Sequence, residues 1–146
     1  MKNKSHLTII FCGGIFLFID QILKYYSQQQ WNEPILANKF FGWQPYLNYG
    51  AAFGLPVPNW LIILFTIPII LIITYLFLLE KKLVNLYGYI LILAGSLSNL
   101  FDRLYYRAVI DYWQFTTGII NLADVMIVAG ITLIILTNKQ YLKIKI

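Results

Sequence analysis

Residues 60–79 read WLIILFTIPIILIITYLFLL, twenty residues without a charge. An α-helix needs about 20 apolar residues to cross the hydrocarbon core of a bilayer. Pro68 inside the run is compatible with a spanning helix, because neighbouring helices satisfy the carbonyl it frees. Outward from this segment, three other stretches come close to the same length. Residues 6–26 are apolar until Asp20, Gln21 and Lys24 near their end. Residues 83–106 carry Asn99, Asp102 and Arg103 at their far end, and residues 119–137 carry Asn121 and Asp124 at their start. Only 12% of the 146 residues are charged and 60% are hydrophobic, against about 25% charged in soluble domains. The expectation is an all-α membrane protein, a four-transmembrane-helix bundle forming one domain over residues 1–146.

Lysine and arginine set the orientation. Lys2, Lys4, Lys81, Lys82, Lys139, Lys143 and Lys145 fall on one side of the four helices, and Lys24, Lys39, Arg103 and Arg107 on the other. Both termini are expected in the cytoplasm. All four tryptophans, Trp31, Trp43, Trp60 and Trp113, lie on the opposite side, as an aromatic belt at the outer interface would. The first helix is read as retained, since its apolar run is long and no small-residue cleavage site follows it. The net charge of +5 is not gathered into a patch that would bind nucleic acid. One cysteine, Cys12, allows no internal disulfide, and with one histidine, His6, a zinc site of the usual N/S type is not supported.

The longest connection, residues 27–58, holds Pro34, Pro45, Pro56, Pro58, Gly42, Gly50 and Gly54, so it is not helical throughout. Its aromatic, turn-rich part, residues 40–53, reads as a short strand pair, a small extracytoplasmic β-element between helices 1 and 2.

Of six acidic residues, only Glu80 lies in a cytoplasmic loop. Asp20, Glu33, Asp102, Asp111 and Asp124 lie in the outer half or the outer loops. Charge at membrane depth is costly and marks a function or a specific pair. Gly95, Asn99 and Asp102, spaced i, i+4, i+7, share one helix face within roughly 60°, with Arg103 beside it. A glycine on that face lets another backbone approach closely. Asp102 and Arg103 read either as part of a site or as an interfacial pair anchoring the helix. Asp20 and Lys24, at i and i+4, read first as an intrahelical pair. Asn121 and Asp124 have the spacing of an N-cap and its N3 partner, which alone would account for both. Asp111 lies in a short outer segment between Val109-Ile110 and Tyr112-Trp113 and has no local cap or partner. It returns to the interface that Asp124 occupies. Two carboxylates that approach closely share one proton. The ionised member can take a proton from water, and the protonated one can serve a carbonyl and a leaving amine. That is amide hydrolysis without a metal or a covalent nucleophile.

Five blocks, in order, resemble the lipoprotein signal peptidase family, also called signal peptidase II. They are Asp20-Gln21-Ile22-Leu23-Lys24, Asn48-Tyr49-Gly50-Ala51-Ala52-Phe53, the stretch from Gly95 to Arg103, Val109-Ile110-Asp111-Tyr112, and Asn121-Leu122-Ala123-Asp124. The resemblance implies that Asp111 and Asp124 are the catalytic dyad. Asn48, Gly50, Asn99, Arg103 and Asn121 would shape the substrate pocket, and Asp20, Lys24, Asp102 and Ala123 would support it. The implied substrate is a bacterial prolipoprotein with a diacylglyceryl group on its lipobox cysteine, cut on the amino side of that cysteine. The implied place is the bacterial inner membrane, with the site at its outer face. No cofactor, nucleic acid or second subunit is implied. The chain departs from the family pattern at Leu23, where a small hydroxyl residue is common, and at Ile120, where an aromatic is common. The interval from Asp111 to Asp124 is also short, which implies a reduced flap over the site.

Rival chemistries have weaker support in the sequence. A Ser–His pair fails because His6 is at the cytoplasmic end. Ser27 with Lys24 is a conceivable dyad, since a desolvated lysine can act as a base, but it leaves Asp111 and Asp124 unexplained. A transporter would place ionisable groups near the midplane and show paired repeats. A homologue that binds lipoproteins without cutting them stays open.

Overall fold

The computed structural model describes residues 2–30, 34–51, 55–116 and 118–144. Trp31, Glu33, Ala52, Phe53, Gly54 and Lys145, which figure in the sequence reading, lie outside these residues. Four helices, α1 (Lys2–Gln29), α2 (Asn59–Leu79), α3 (Leu83–Tyr105) and α4 (Leu122–Ile144), are joined by two excursions that build one sheet. Strands β1 (Ile35–Asn38) and β2 (Phe41–Asn48) come from the α1–α2 connection. Strands β3 (Val109–Phe115) and β4 (Gly118–Ile120) come from the α3–α4 connection. All four helices are long and apolar enough to cross a membrane.

The sheet is antiparallel, in the order β1-β2-β3-β4. The β-element expected between helices 1 and 2 is present, and it is only half of the sheet. Its first turn comes earlier than residue 40: Asn38 Oδ1 accepts the amides of Phe40 and Phe41 and closes the β1–β2 hairpin. Tyr46 pairs with Asp111 in the β2–β3 register, so Asp111 stands on a central strand and not in a loop. Residues 119 and 120 are strand as well, with Trp113 opposite Ile120, and the fourth helix starts at Leu122. Apolar Ile119 and Ile120 suit a buried strand as well as a helix, so hydropathy could not separate the two.

Most of the helical surface faces outward, as lipid-solvated helices do. α2 buries one side chain, Phe77, whereas α3 buries ten residues and packs against the other three helices. Glycines let α3 and α4 approach closely. A Cβ on Gly88 would come within 2.9 Å of Gly130 O, and one on Gly130 within 2.5 Å of Gly88 O. A Cβ on Gly95 would run into Ala123 O. This last contact brings the first turn of α4 against the α3 face that carries Asn99 and Asp102. At the end of α3, Arg107 takes the left-handed conformation, φ 61°, and turns the chain into β3.

Candidate active site

The site forms where the ends of α1, α3 and α4 meet the sheet. Its base is a buried charge cluster. Lys24 Nζ lies 2.9 Å from Asp20 Oδ2 and 2.8 Å from Asp102 Oδ2, and all three side chains are buried. The intrahelical pair expected from the i, i+4 spacing is therefore half of a two-carboxylate clamp on one ammonium. Burying such a cluster is costly unless the remaining lone pairs are satisfied, and here they are. Ser98 Oγ donates to Asp20 Oδ2 at 2.6 Å, Gln21 Nε2 donates to Asp102 Oδ1 at 3.1 Å, and the Ile110 amide donates to Asp102 Oδ2 at 3.2 Å.

A chain of amide side chains leads from this base to two further carboxylates. Lys24 Nζ donates to Asn99 Oδ1 at 2.9 Å, which fixes the Asn99 amide so that its Nδ2 donates to Asp124 Oδ1 at 2.9 Å. Asn121 Nδ2 donates to Asn99 Oδ1 at 3.1 Å and to Asp111 Oδ1 at 2.6 Å. Asn48 Nδ2 donates to the other oxygen of Asp111 at 3.1 Å. Asn48 Oδ1 accepts the Gly50 amide, and Gly50 O accepts Arg103 Nη2 at 2.7 Å. Arg103 Nη1 also reaches Asn59 Oδ1, and Asn59 Nδ2 donates to Arg103 O at 3.1 Å. Ala123 contributes its amide, which donates to Asp20 Oδ1 at 3.2 Å. The residues that the family resemblance assigns to the pair, the pocket and its support all belong to one connected network.

Asn121 bridges the two carboxylates. Its side chain holds Asp111, and its backbone amide donates to Asp124 Oδ2 at 3.3 Å. The Asp124 amide returns a bond to Asn121 Oδ1 at 2.9 Å, closing a reciprocal cap on α4. The capping reading and the site reading of these residues thus hold together, because Asp124 keeps Oδ1 for Asn99. Burial first, and then the negative charge of Asp124, push the Asp111 carboxyl up to about 7, against the lowering pull of Asn48, Asn121 and Lys24. Asp111 and Asn121 are fully buried, while Asp124, Asn99 and Asn48 are half-buried.

Ser27 and Lys24 do not form a dyad. Lys24 is engaged by the two carboxylates, Ser98 and Asn99, and the buried Ser27 Oγ has no hydrogen-bond partner among the described residues. His6 packs edge-on against Phe77.

Four contributors are given no role by the sequence reading: Gln21, Ser98 and Tyr112, which lie inside the quoted blocks, and Asn59, which does not. Ser98 lies on the Gly95–Asn99–Asp102 face at i+3 and was open to detection there. Tyr112 was hidden because its segment reads as a loop, whereas strand alternation turns it away from Asp111.

The chain matches the family model described as signal peptidase (SPase) II over residues 12–139. The chain belongs to the signal peptidase II family. It is 35% identical to the lipoprotein signal peptidase of Wigglesworthia glossinidia brevipalpis, covering 97% of this chain and 98% of that one. It is 34% identical to that of Psychromonas ingrahamii, covering 91% and 85%, and 32% identical to that of Pasteurella multocida, covering 92% and 90%. Two solved bacterial membrane enzyme structures obtained by the in meso method share the fold. One has a TM-score of 0.83 at 24% identity, covering 91% of this chain and 88% of that one. The other has a TM-score of 0.76 at 25% identity, covering 89% and 91%. This signal peptidase II is a multi-pass aspartic peptidase of the bacterial inner membrane that processes prolipoproteins.

Proposed function

We propose that Asp111 and Asp124 are the reacting pair of this signal peptidase II and share one proton between them. The observation that carries this is the Asn121 bridge, which binds both carboxylates while each keeps an oxygen for another donor. Asp111, buried and pushed up to about 7, holds the proton. Asp124 is the base: it stands in the first turn of α4, where its negative charge meets the positive end of the helix dipole. Water adds to the scissile carbonyl carbon as one of its protons passes to Asp124, and Asp111 hydrogen-bonds the developing oxyanion. The C–N bond then breaks as the carbonyl re-forms and Asp124 passes the proton it took to the leaving amine, which leaves the pair with one proton again.

The substrate is a prolipoprotein with a diacylglyceryl group on its cysteine, cut on the amino side of that residue. Its acyl chains offer a large apolar area, each buried CH₂ contributing roughly 0.8 kcal/mol, to a protein whose accessible helical faces are apolar. Both termini lie in the cytoplasm, and the sheet and the site face outward. The lysine distribution supports this, together with the even number of helices. Purified protein offered lipidated and unlipidated forms of one prolipoprotein tests the reading. Cleavage of the lipidated form, with the new N-terminus at the modified cysteine by mass spectrometry, is the expected result. Equal rates on both forms would overturn the substrate assignment.

A further inference from the structure

An α-helix leaves its first four backbone N–H groups without intrahelical partners. In α4 these are the amides of Asn121, Leu122, Ala123 and Asp124, and side chains take all four. Two of the bonds are local, the reciprocal cap between Asn121 and Asp124. The other two come from distant parts of the chain. Leu122 N–H donates to Tyr112 Oη at 2.9 Å, and Ala123 N–H donates to Asp20 Oδ1 at 3.2 Å. Tyr112 Oη also donates to that same Asp20 oxygen at 3.0 Å.

Tyr112 is the residue after Asp111 on β3, and its hydroxyl bonds the helix turn that holds Asp124. It is 1% exposed. Its ring stacks on Trp43 of β2, with centroids 4.7 Å apart and planes at 30°. We propose that Tyr112 is a positioning residue for the Asp111–Asp124 pair, its hydroxyl tying the strand that carries one carboxylate to the helix turn that carries the other. The inference rests on the reading of those two aspartates as the reacting pair.

The hydroxyl suits this role in both directions. As an acceptor it satisfies the first amide of α4, and as a donor it anchors to Asp20, which Lys24 and Ser98 hold in place. Burial and the Asp20 charge push the phenol upward in pKa, so it stays a donor throughout the working range. Without the hydroxyl, the stacked ring still holds β3 against β2. The first turn of α4, and Asp124 with it, loses a tie to the strand of Asp111. Asp20 is a poorer place to test this, since its removal also takes a carboxylate from Lys24.

The test compares wild type, Tyr112→Phe and Asp111→Asn in steady-state cleavage of a lipidated prolipoprotein. Ile92→Ala, a buried change in α3 outside the site, provides a control with a lowered melting temperature. Misplacing a reacting group by about 1 Å can cost 10²-fold. The expected result for Tyr112→Phe is therefore a kcat lower by about 10- to 100-fold at unchanged KM, with Ile92→Ala keeping its kcat. An unchanged kcat in Tyr112→Phe, a loss confined to KM, or an equal kcat loss in Ile92→Ala would overturn the proposal. Wild-type turnover by Asp111→Asn would sink the dyad reading itself and the proposal with it, an outcome distinct from a failure at Tyr112 alone. If Tyr112→Phe does not fold, 3-fluorotyrosine at position 112 keeps the ring and hydroxyl but weakens the acceptor. A lowered kcat at unchanged KM then supports the role, and an unchanged kcat refutes it.

Discussion

Asn121 and Asp124 hold each other across the first turn of α4, the Asp124 amide donating to Asn121 Oδ1 at 2.9 Å and the Asn121 amide to Asp124 Oδ2 at 3.3 Å. The cap and the site use different atoms of Asn121, so they can be separated. Serine caps a helix about as well as asparagine, whereas alanine costs about 1 kcal/mol. Asn121→Ser should therefore melt close to wild type, and Asn121→Ala lower. Both lose the Nδ2 donor to Asp111 and should lose activity on the order of 10²-fold. Activity that followed melting temperature across the two variants would reduce Asn121 to a cap.

The raised Asp111 pKa has a definite sign. Its carboxyl titrates near 3.8 ordinarily and at about 7 in the folded protein. The folded state therefore holds this proton more tightly than the unfolded state. Its contribution to stability is complete below the ordinary value and is lost as pH rises through about 7. Asp111→Asn should remove this dependence and be more stable than wild type above pH 7, by a few kcal/mol at about 1.4 kcal/mol per pKa unit. Melting temperatures of both proteins in detergent between pH 5 and 9 check this, and parallel pH profiles would contradict it.

Lys24 neutralises two buried carboxylates. Removing it strands both, and breaking a buried pair typically costs about 3–5 kcal/mol. Asp20→Asn leaves Lys24 paired with Asp102 and should cost less. Denaturant unfolding should rank Lys24→Met below Asp20→Asn, and the reverse order would mean that the cluster is not organised around the ammonium.

Much of this arrangement is legible in the sequence, and the unread parts have physical causes. Residues 60–79 declare a spanning helix because hydropathy averages over a long window. The start of α4 was misplaced because Ile119 and Ile120 are apolar in either strand or helix, although the Asn121–Asp124 cap marks the true boundary. The Gly95–Asn99–Asp102 face follows from helical periodicity and does point at α1 and α4, through Lys24, Asp124 and Ala123 O. The partner of Arg103 is not legible, because its acceptor is a backbone carbonyl, Gly50 O, brought near by the α1–α2 excursion. Tyr112 stayed hidden because its segment carries no alternating pattern from which to read a strand.

Gly95 tests how closely α4 must approach α3. A Cβ there meets Ala123 O, a backbone atom that moves only with the helix turn. Gly95→Ala should displace the turn carrying Asp124 and lower kcat by about tenfold or more. Gly14, whose Cβ would meet nothing within 4 Å, should accept alanine with activity intact. Equal activity in the two variants would show that the α3–α4 contact does not hold the site.

The central claim is that Asp111 and Asp124 act as one unit on a water molecule. Single-turnover cleavage of a lipidated prolipoprotein by wild type, Asp111→Asn, Asp124→Asn and the double variant tests it most directly. Positioned acid–base groups contribute typically 10² to 10⁴-fold, so each single variant should lose on the order of that much rate. The double variant should be little slower than either single, because groups that act together are not additive. Near-wild-type cleavage by either single variant, or losses that multiply in the double, would contradict the shared-proton account.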